Sequence, residues 1–177
     1  MIPPTLIPRL TLDTNVIQQH WRQQAKASVV RQLINLALVN AIDLAVTARI
    51  REDVPDEPLA SEVNRLNEIG VNEVGTVARA DYAILDRDLV GSDAFVDFEV
   101  KACELVAKRL SSKRVPDWRD LDHLHAHMLH GRDVFLTWDV GILCLEPELR
   151  GQFGIQVMRP EDWLARSGIR PRESLAT

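Results

Sequence analysis

Two hydrophobic periods run along the 177-residue chain. Arg9-Leu10-Thr11-Leu12 is a short apolar and β-branched run that stops at Asp13, and it predicts a first, central strand. Behind it, Val30, Leu33, Ile34, Ala37, Leu38 and Ala41 recur at helical spacing on one face. Leu44-Ala45-Val46-Thr47 predicts a second strand, and Ala48 to Val54 a short helix halted by Pro55. Pro58 to Ile69 has a helical pattern closed by Gly70. Val71, Val74 and Val77 fit either a strand or a loop. Ser92 to Leu110 predicts a helix with Phe95, Val96, Cys103, Val106 and Leu110 on one side, and 111–116 a turn. Asp117 to His130 predicts a helix with a Leu121, Leu124, Met128 stripe, a cap at Asp117 and an end at Gly131. Val134-Phe135-Leu136-Thr137 reads as a buried strand ending at Asp139. Ile142 to Leu149 predicts a short helix interrupted by Pro147, Ile155 to Met158 a last strand, and 160–164 a last helical turn.

Strands alternating with helices imply an α/β chain: a three-layer α/β/α sandwich around a central, mostly parallel sheet. The length supports one hydrophobic core, so 1–168 is taken as a single domain with 56–116 a longer helical middle segment. Residues 169–177, with Arg170, Pro171 and Arg172, form a frayed tail. In such sheets, functional groups gather where strands end in their C-terminal direction.

Charge changes the picture in one respect. The formal net charge is −5, so no overall basic field advertises a polyanionic partner. Attraction to one must come from local basic patches or bound cations. The two cysteines, Cys103 and Cys144, lie in apolar stretches and read as reduced core thiols of a cytoplasmic protein. The opening residues show no signal-peptide pattern, and no apolar stretch is long enough for a bilayer, so no membrane partner is expected.

Four acidic positions stand out because each follows a predicted strand or opens a helix: Asp13, Asp53, Asp120 and Asp139. Carboxylates gathered from separate segments repel one another, and protons or a divalent cation must hold them together. Each has a plainer explanation. Asp13 fits a helix cap, Asp53 an exposed helix charge, Asp120 a first-turn acid and Asp139 a turn residue. The joint occurrence is what points to a shared acidic site.

These residues carry a resemblance to the PIN-domain family of metal-dependent nucleases. Leu10 to Val16, with Asp13-Thr14-Asn15, resembles the family's opening strand and first acidic motif. Ala45-Val46-Thr47 followed by Asp53 is similar to the second. Asp120-x-x-His123, then Gly131, then Asp133 to Asp139 resembles its acidic helix, glycine turn and Thr-x-Asp strand end, and 154–164 its closing strand and helix. The middle segment matches only loosely. Two positions stay open by register: Asp53 against Glu52, and Asp120 against Asp122, with Asp120 preferred by its spacing to Gly131 and Asp139.

The resemblance implies an endoribonuclease that hydrolyses RNA phosphodiester bonds with Mg²⁺ or Mn²⁺, similar to toxins of toxin–antitoxin pairs. It implies an RNA substrate, an antitoxin protein and a homodimer as partners. Both ions prefer oxygen ligands and can relieve charge on a phosphate. Asp13, Asp120 and Asp139 would be metal ligands and catalytic residues, with Asp53 binding directly, through water, or orienting water. Asn15, Thr137 and His123 would orient the carboxylates. Arg49 and Arg51, beside the second motif, are candidates for substrate phosphate contacts. A scaffold of the same shape, weak or silent in catalysis and binding protein or RNA, is the alternative. Phosphatase chemistry of the haloacid-dehalogenase type would want a second Asp where this chain has Asn15.

His123, His127 and His130 share one helix face, with His125 between them. Zinc chemistry of the zincin kind needs a Glu after the first His, where Leu124 stands, so a partly buried polar face is the better reading. The pairs Arg22 and Lys26, Lys108 and Arg109, and Lys113 and Arg114 fit solvated faces, and Trp21, Trp118 and Trp138 fit core or rim positions, with Trp138 also able to meet a base.

Overall fold

The structure is a computed structural model that describes residues 6–76 and 118–169, together with Phe98, Val100, Lys101, Ala102, Glu104 and Leu105. Outside these lie the expected Phe95–Leu110 stripe, Val77, the turn at 111–116, the cap at Asp117, the tail from residue 170, Cys103 and the Lys108/Arg109 and Lys113/Arg114 pairs.

Five strands pair in parallel: β1 (Arg9–Leu12), β2 (Asp43–Thr47), β3 (Val71–Val74), β4 (Val134–Leu136) and β5 (Gln156–Met158). Their order is β3-β2-β1-β4-β5, which puts β1 at the centre. Among the described residues, the helices with defined bounds are α1 (Thr14–Trp21), α2 (Ala27–Leu38), α3 (Ile50–Asp53), α4 (Glu57–Val63), α5 (Trp118–Leu129), α6 (Val140–Cys144), α7 (Glu146–Phe153) and α8 (Pro160–Ser167).

Side chains alternate across a strand, and here the alternation separates two cores. Leu10 pairs with Leu44 and Val134, and Leu12 with Val46 and Leu136. All six join one aliphatic cluster with Val30, Leu33 and Ile34 of α2 and Trp163 of α8. Phe135 and Val157, one residue out of phase, join Leu121 and Leu124 of α5, Ile142 of α6, Leu149 of α7 and the helical Phe98 and Ala102 in a second cluster. These clusters are the two interfaces of an α/β/α sandwich. Each fully buried Leu contributes about 1.5–3 kcal/mol to it.

Several local expectations are corrected. On α2, Leu36 is buried and Leu38 is 52% exposed, so the inward stripe is rotated from the one the spacing suggested. The run from Pro58 to Ile69 splits into α4 and a 3₁₀ turn at Asn67–Ile69, closed by Gly70 at φ 75°. A Cβ on Gly70 would come 3.1 Å from the Leu38 backbone nitrogen, so this position needs glycine for space as well as for its backbone angle. Pro147 does not interrupt a helix. The break falls at Leu145, and Pro147 lies in the first turn of α7, where a missing N–H costs nothing. Cys144 is exposed rather than a core thiol. Among the described residues, no helix is long and apolar enough to cross a membrane.

At the N-terminal edge of the sheet, buried Arg132 fastens strand ends together. Its Nη2 donates to the carbonyls of Leu10 at 2.8 Å and Asp43 at 2.6 Å, and it also pairs with Asp43 Oδ1 at 3.0 Å. The Arg9 backbone N–H adds a hydrogen bond to Asp133 Oδ2 at 2.7 Å. The opposite edge carries Asp13, Thr47 and Thr137.

Candidate active site

The phase that sends Leu10 and Leu12 into the aliphatic core sends Thr11 and Asp13 to the other face. Asp13 is 5% exposed. Its backbone N–H donates to Leu136 O at 2.9 Å, which seats it beside the end of β4. It occupies the N-cap position of α1, yet its side chain makes no capping bond. Its Oδ2 instead accepts from Thr137 Oγ1 at 2.6 Å and from Asn15 Nδ2 at 2.7 Å. Thr137 Oγ1 also accepts from Asn15 Nδ2 at 3.1 Å and from the Asp139 N–H at 2.8 Å. One hydroxyl thus ties the ends of β1 and β4 and two of the predicted acids. Asn15 completes the tie by accepting from the Trp138 N–H at 3.3 Å.

Burial pushes the Asp13 carboxyl up from its ordinary 3.8, and the charge of Asp139 adds to this. The charge of His123 and the Thr137 bond oppose the rise without cancelling it. Asp139 itself caps α6, accepting from Ile142 N at 3.0 Å. The turn role and the site role therefore coexist in one residue.

Asp53 comes from α3, just past β2. Its Oδ2 accepts from Thr14 Oγ1 at 2.8 Å and lies 2.7 Å from His123 Nε2. His123 is buried, and its Nδ1 hydrogen-bonds Thr47 Oγ1 at the end of β2. Burial alone would lower the His123 imidazole. The bond and charge of Asp53, then the charges of Asp13 and Asp120, more than offset it and hold it above 6.5. Burial would likewise raise Asp53, but His123, Thr14 and the Arg49 charge hold it below 3.8. Both directions agree on a charged pair, with Nε2–H donating to Asp53 and Nδ1–H to Thr47.

Asp13, Thr14, Asn15, Gln18, Asp53, Arg119 and Asp120 line one cleft of about 260 Å³. Larger hollows of about 340 and 430 Å³ lie elsewhere and hold none of the four acids. The open registers now have definite positions. Asp53 faces the cleft while Glu52 is exposed, and Asp120 lines it while Asp122 is buried outside it. Asp139 stands beside the cleft, joined to Asp13 through Thr137. Arg49 is buried with its Nε 4.0 Å from Asp53 Oδ1. Arg51 pairs with Glu73 through Nε at 2.9 Å and Nη2 at 2.8 Å. Both guanidiniums are thus placed in internal ion pairs, and neither is among the residues lining the cleft. Trp138 donates to Glu161 at 2.7 Å, and Lys26 lies 4.3 Å over its ring.

The histidine face packs on the sheet's polar row. His127 Nδ1 meets Thr11 Oγ1 at 2.9 Å, and His130 Nε2 meets Gly75 O at 3.0 Å. Thr14, Thr47, Gln18 and Arg119 are site residues that sequence reasoning missed. Thr14 lay inside the first motif, but its partner Asp53 is 39 positions away, a contact no local spacing reveals.

The donor set suits a hard divalent cation in kind: all four acids offer oxygen, and Asp13 is buried. Among the described residues, no three His, Cys, Asp or Glu side chains are grouped to hold a metal ion. No family model matches this chain, and no curated protein matches it.

Proposed function

We propose that this chain is a PIN-like, Mg²⁺- or Mn²⁺-dependent endoribonuclease. The observation that carries the reading is the convergence of Asp13, Asp53 and Asp120 on one cleft, with Asp139 linked to Asp13 through Thr137. They come from four separate segments and meet where parallel strands end, the usual place for chemistry in such sheets. In this reading Asp13, Asp120 and Asp139 hold the cation, which would supply charge relief at the scissile phosphate. Asp53 is the odd member. Its partner is the charged His123 imidazole, so its own charge is already answered and it serves better to orient the attacking water than to bind metal. Asn15 and Thr137 fix the Asp13 carboxylate. The toxin of a toxin–antitoxin pair is the narrower form of this proposal, and a small overlapping reading frame encoding a partner would support it.

The test is cleavage of single-stranded and structured RNA with added Mn²⁺ or Mg²⁺. The Asp13→Asn and Asp139→Asn chains should lose activity. Cleavage that survives both substitutions would sink the mechanism.

A silent scaffold is favoured by one observation. The oxygens Asp13 Oδ2, Asp53 Oδ2 and Asp139 Oδ1 are each used in internal hydrogen bonds. Absence of both cleavage and Mn²⁺ binding, measured calorimetrically, would decide for it.

A further inference from the structure

A second cleft, of about 340 Å³, runs along β5 between α7 and α8 and brings together Arg150 of α7, Arg159 at the cap of α8 and Arg166 of α8. Most of the described arginines are answered internally. Arg9, Arg22, Arg49, Arg51, Arg65, Arg132 and Arg150 each form an ion pair. Arg159 and Arg166 are exposed, and among the described residues their guanidiniums make no hydrogen bond or ion pair. Two unanswered positive charges in one hollow of a chain with net charge −5 are a local basic patch of the kind a polyanion would need.

Placement connects this patch to the acidic site. Thr137 N–H donates to Met158 O at 3.0 Å, so Arg159 leaves β5 at the same sheet edge as Thr137 and Asp139. Adjacent strands are about 4.8 Å apart, and the patch therefore begins one strand beyond the acids. The carboxylates of Glu146 and Asp162 also line the hollow, and Glu146 pairs with Arg150 at 3.4 Å. Its apolar lining is small: Val157 is buried, and Leu143 and Met158 are half-buried. A docked peptide strand would want pockets for alternate side chains. A nucleic-acid backbone wants positive donors, which two guanidiniums provide.

We propose that the Arg159/Arg166 cleft binds the phosphate backbone of RNA, carrying the strand away from the acidic site. This rests on the ribonuclease reading for its substrate class. The measurement is fluorescence anisotropy of labelled single-stranded RNA with the full chain in EDTA, across a salt series. Arg159→Glu/Arg166→Glu should weaken binding at least tenfold and flatten the salt slope by about 1.4, the value for two phosphates on a single strand. Arg159→Gln/Arg166→Gln should give a smaller loss in the same direction. Arg22→Glu/Arg65→Glu makes the same change in net charge elsewhere and should leave most of the affinity.

Equal losses in the cleft and control pairs would overturn the inference, as would undetectable RNA binding by the parent chain. Binding of a poly-glutamate peptide, but not RNA, that depends on Arg159 and Arg166 would also overturn it in favour of an acidic protein partner. Failure of the nuclease reading would look different: RNA bound through the arginines, with no metal-dependent cleavage. If cleavage is present, the swapped chain should show a raised KM with kcat little changed.

Discussion

The buried pair of His123 and Asp53 offers the sharpest test of the site's electrostatics. His123→Gln removes a buried positive charge and leaves Asp53 with Thr14 and the more distant Arg49. Breaking one side of a buried pair costs about 3–5 kcal/mol. Asp53 is 14% exposed, so water recovers part of that, and about 3 kcal/mol is expected. Asp53→Asn should cost less, about 1–2 kcal/mol, because the buried His123 can then release its proton, which Asp53 cannot do with its charge, and the amide still meets Thr14. The double variant should fall short of the sum by about 2 kcal/mol, the coupling between contacting partners. Urea unfolding of all four chains at pH 6 measures this directly. A coupling below about 0.5 kcal/mol would refute the charged pair and return His123 to the role of a packed core residue. The pH course gives a second check on the same pair. Asp53 is depressed, so its contribution is present above 3.8 and lost as pH falls through its folded value. His123 is raised, so its contribution is complete below 6.5 and lost as pH rises through its folded value. The pair should therefore stabilise most between these two limits.

Other expectations follow the same physics. Burial first, then the charge of Arg132, push His127 down to about 3, so the folded state refuses a proton that the unfolded chain takes up below 6.5. Between pH 6 and pH 4 the parent should lose roughly 2–3 kcal/mol that His127→Gln does not lose, and parallel urea midpoints for the two would contradict this. Thr137→Val keeps the shape but removes the hydroxyl shared by Asp13, Asn15 and Asp139. It should cost about 1–2 kcal/mol and weaken Mn²⁺ binding about 10–100-fold by calorimetry, with unchanged affinity as the contrary result. Arg132→Met should lower stability by about 3 kcal/mol in urea while leaving RNA binding by the folded chain intact. Gly70→Ala should cost about 1–2 kcal/mol, because it adds a Cβ close to Leu38 at a left-handed backbone angle; an unchanged thermal midpoint would argue against that strain.

The strands were legible because their signal is local. Leu10-Thr11-Leu12 and Val134-Phe135-Leu136 carry β-branched or bulky apolar residues bounded by turn residues, and both formed where expected. Asp13, Asp53 and Asp120 could be placed near one another because parallel strands and their following segments open toward one edge. What was not legible depends on distance in sequence. The Asp53–His123 bond spans 70 positions, and Thr47 has no local mark that sets it apart from any strand-end threonine. The helix errors have a similar cause. Leu36 and Leu38 are equally apolar, and only the docking angle of α2 decides which one faces inward. At Pro147 the same residue type can end a helix or begin one, and the outcome turned on the break at Leu145.

The alternation in β1 links the site to the core in a way that bears on how errors propagate. Leu10 and Leu12 fill one interior, while Thr11 and Asp13 face the other way. A slip of β1 by a single residue would drive the Asp13 carboxylate among the aliphatic side chains of α2 and expose Leu12 to the polar row. The misaligned chain would lose its acidic cleft and its hydrophobic interior together. Molecules that retain a packed aliphatic layer are therefore those in which Asp13 is correctly aimed, and burial acts as a proofreading step for the acidic cleft.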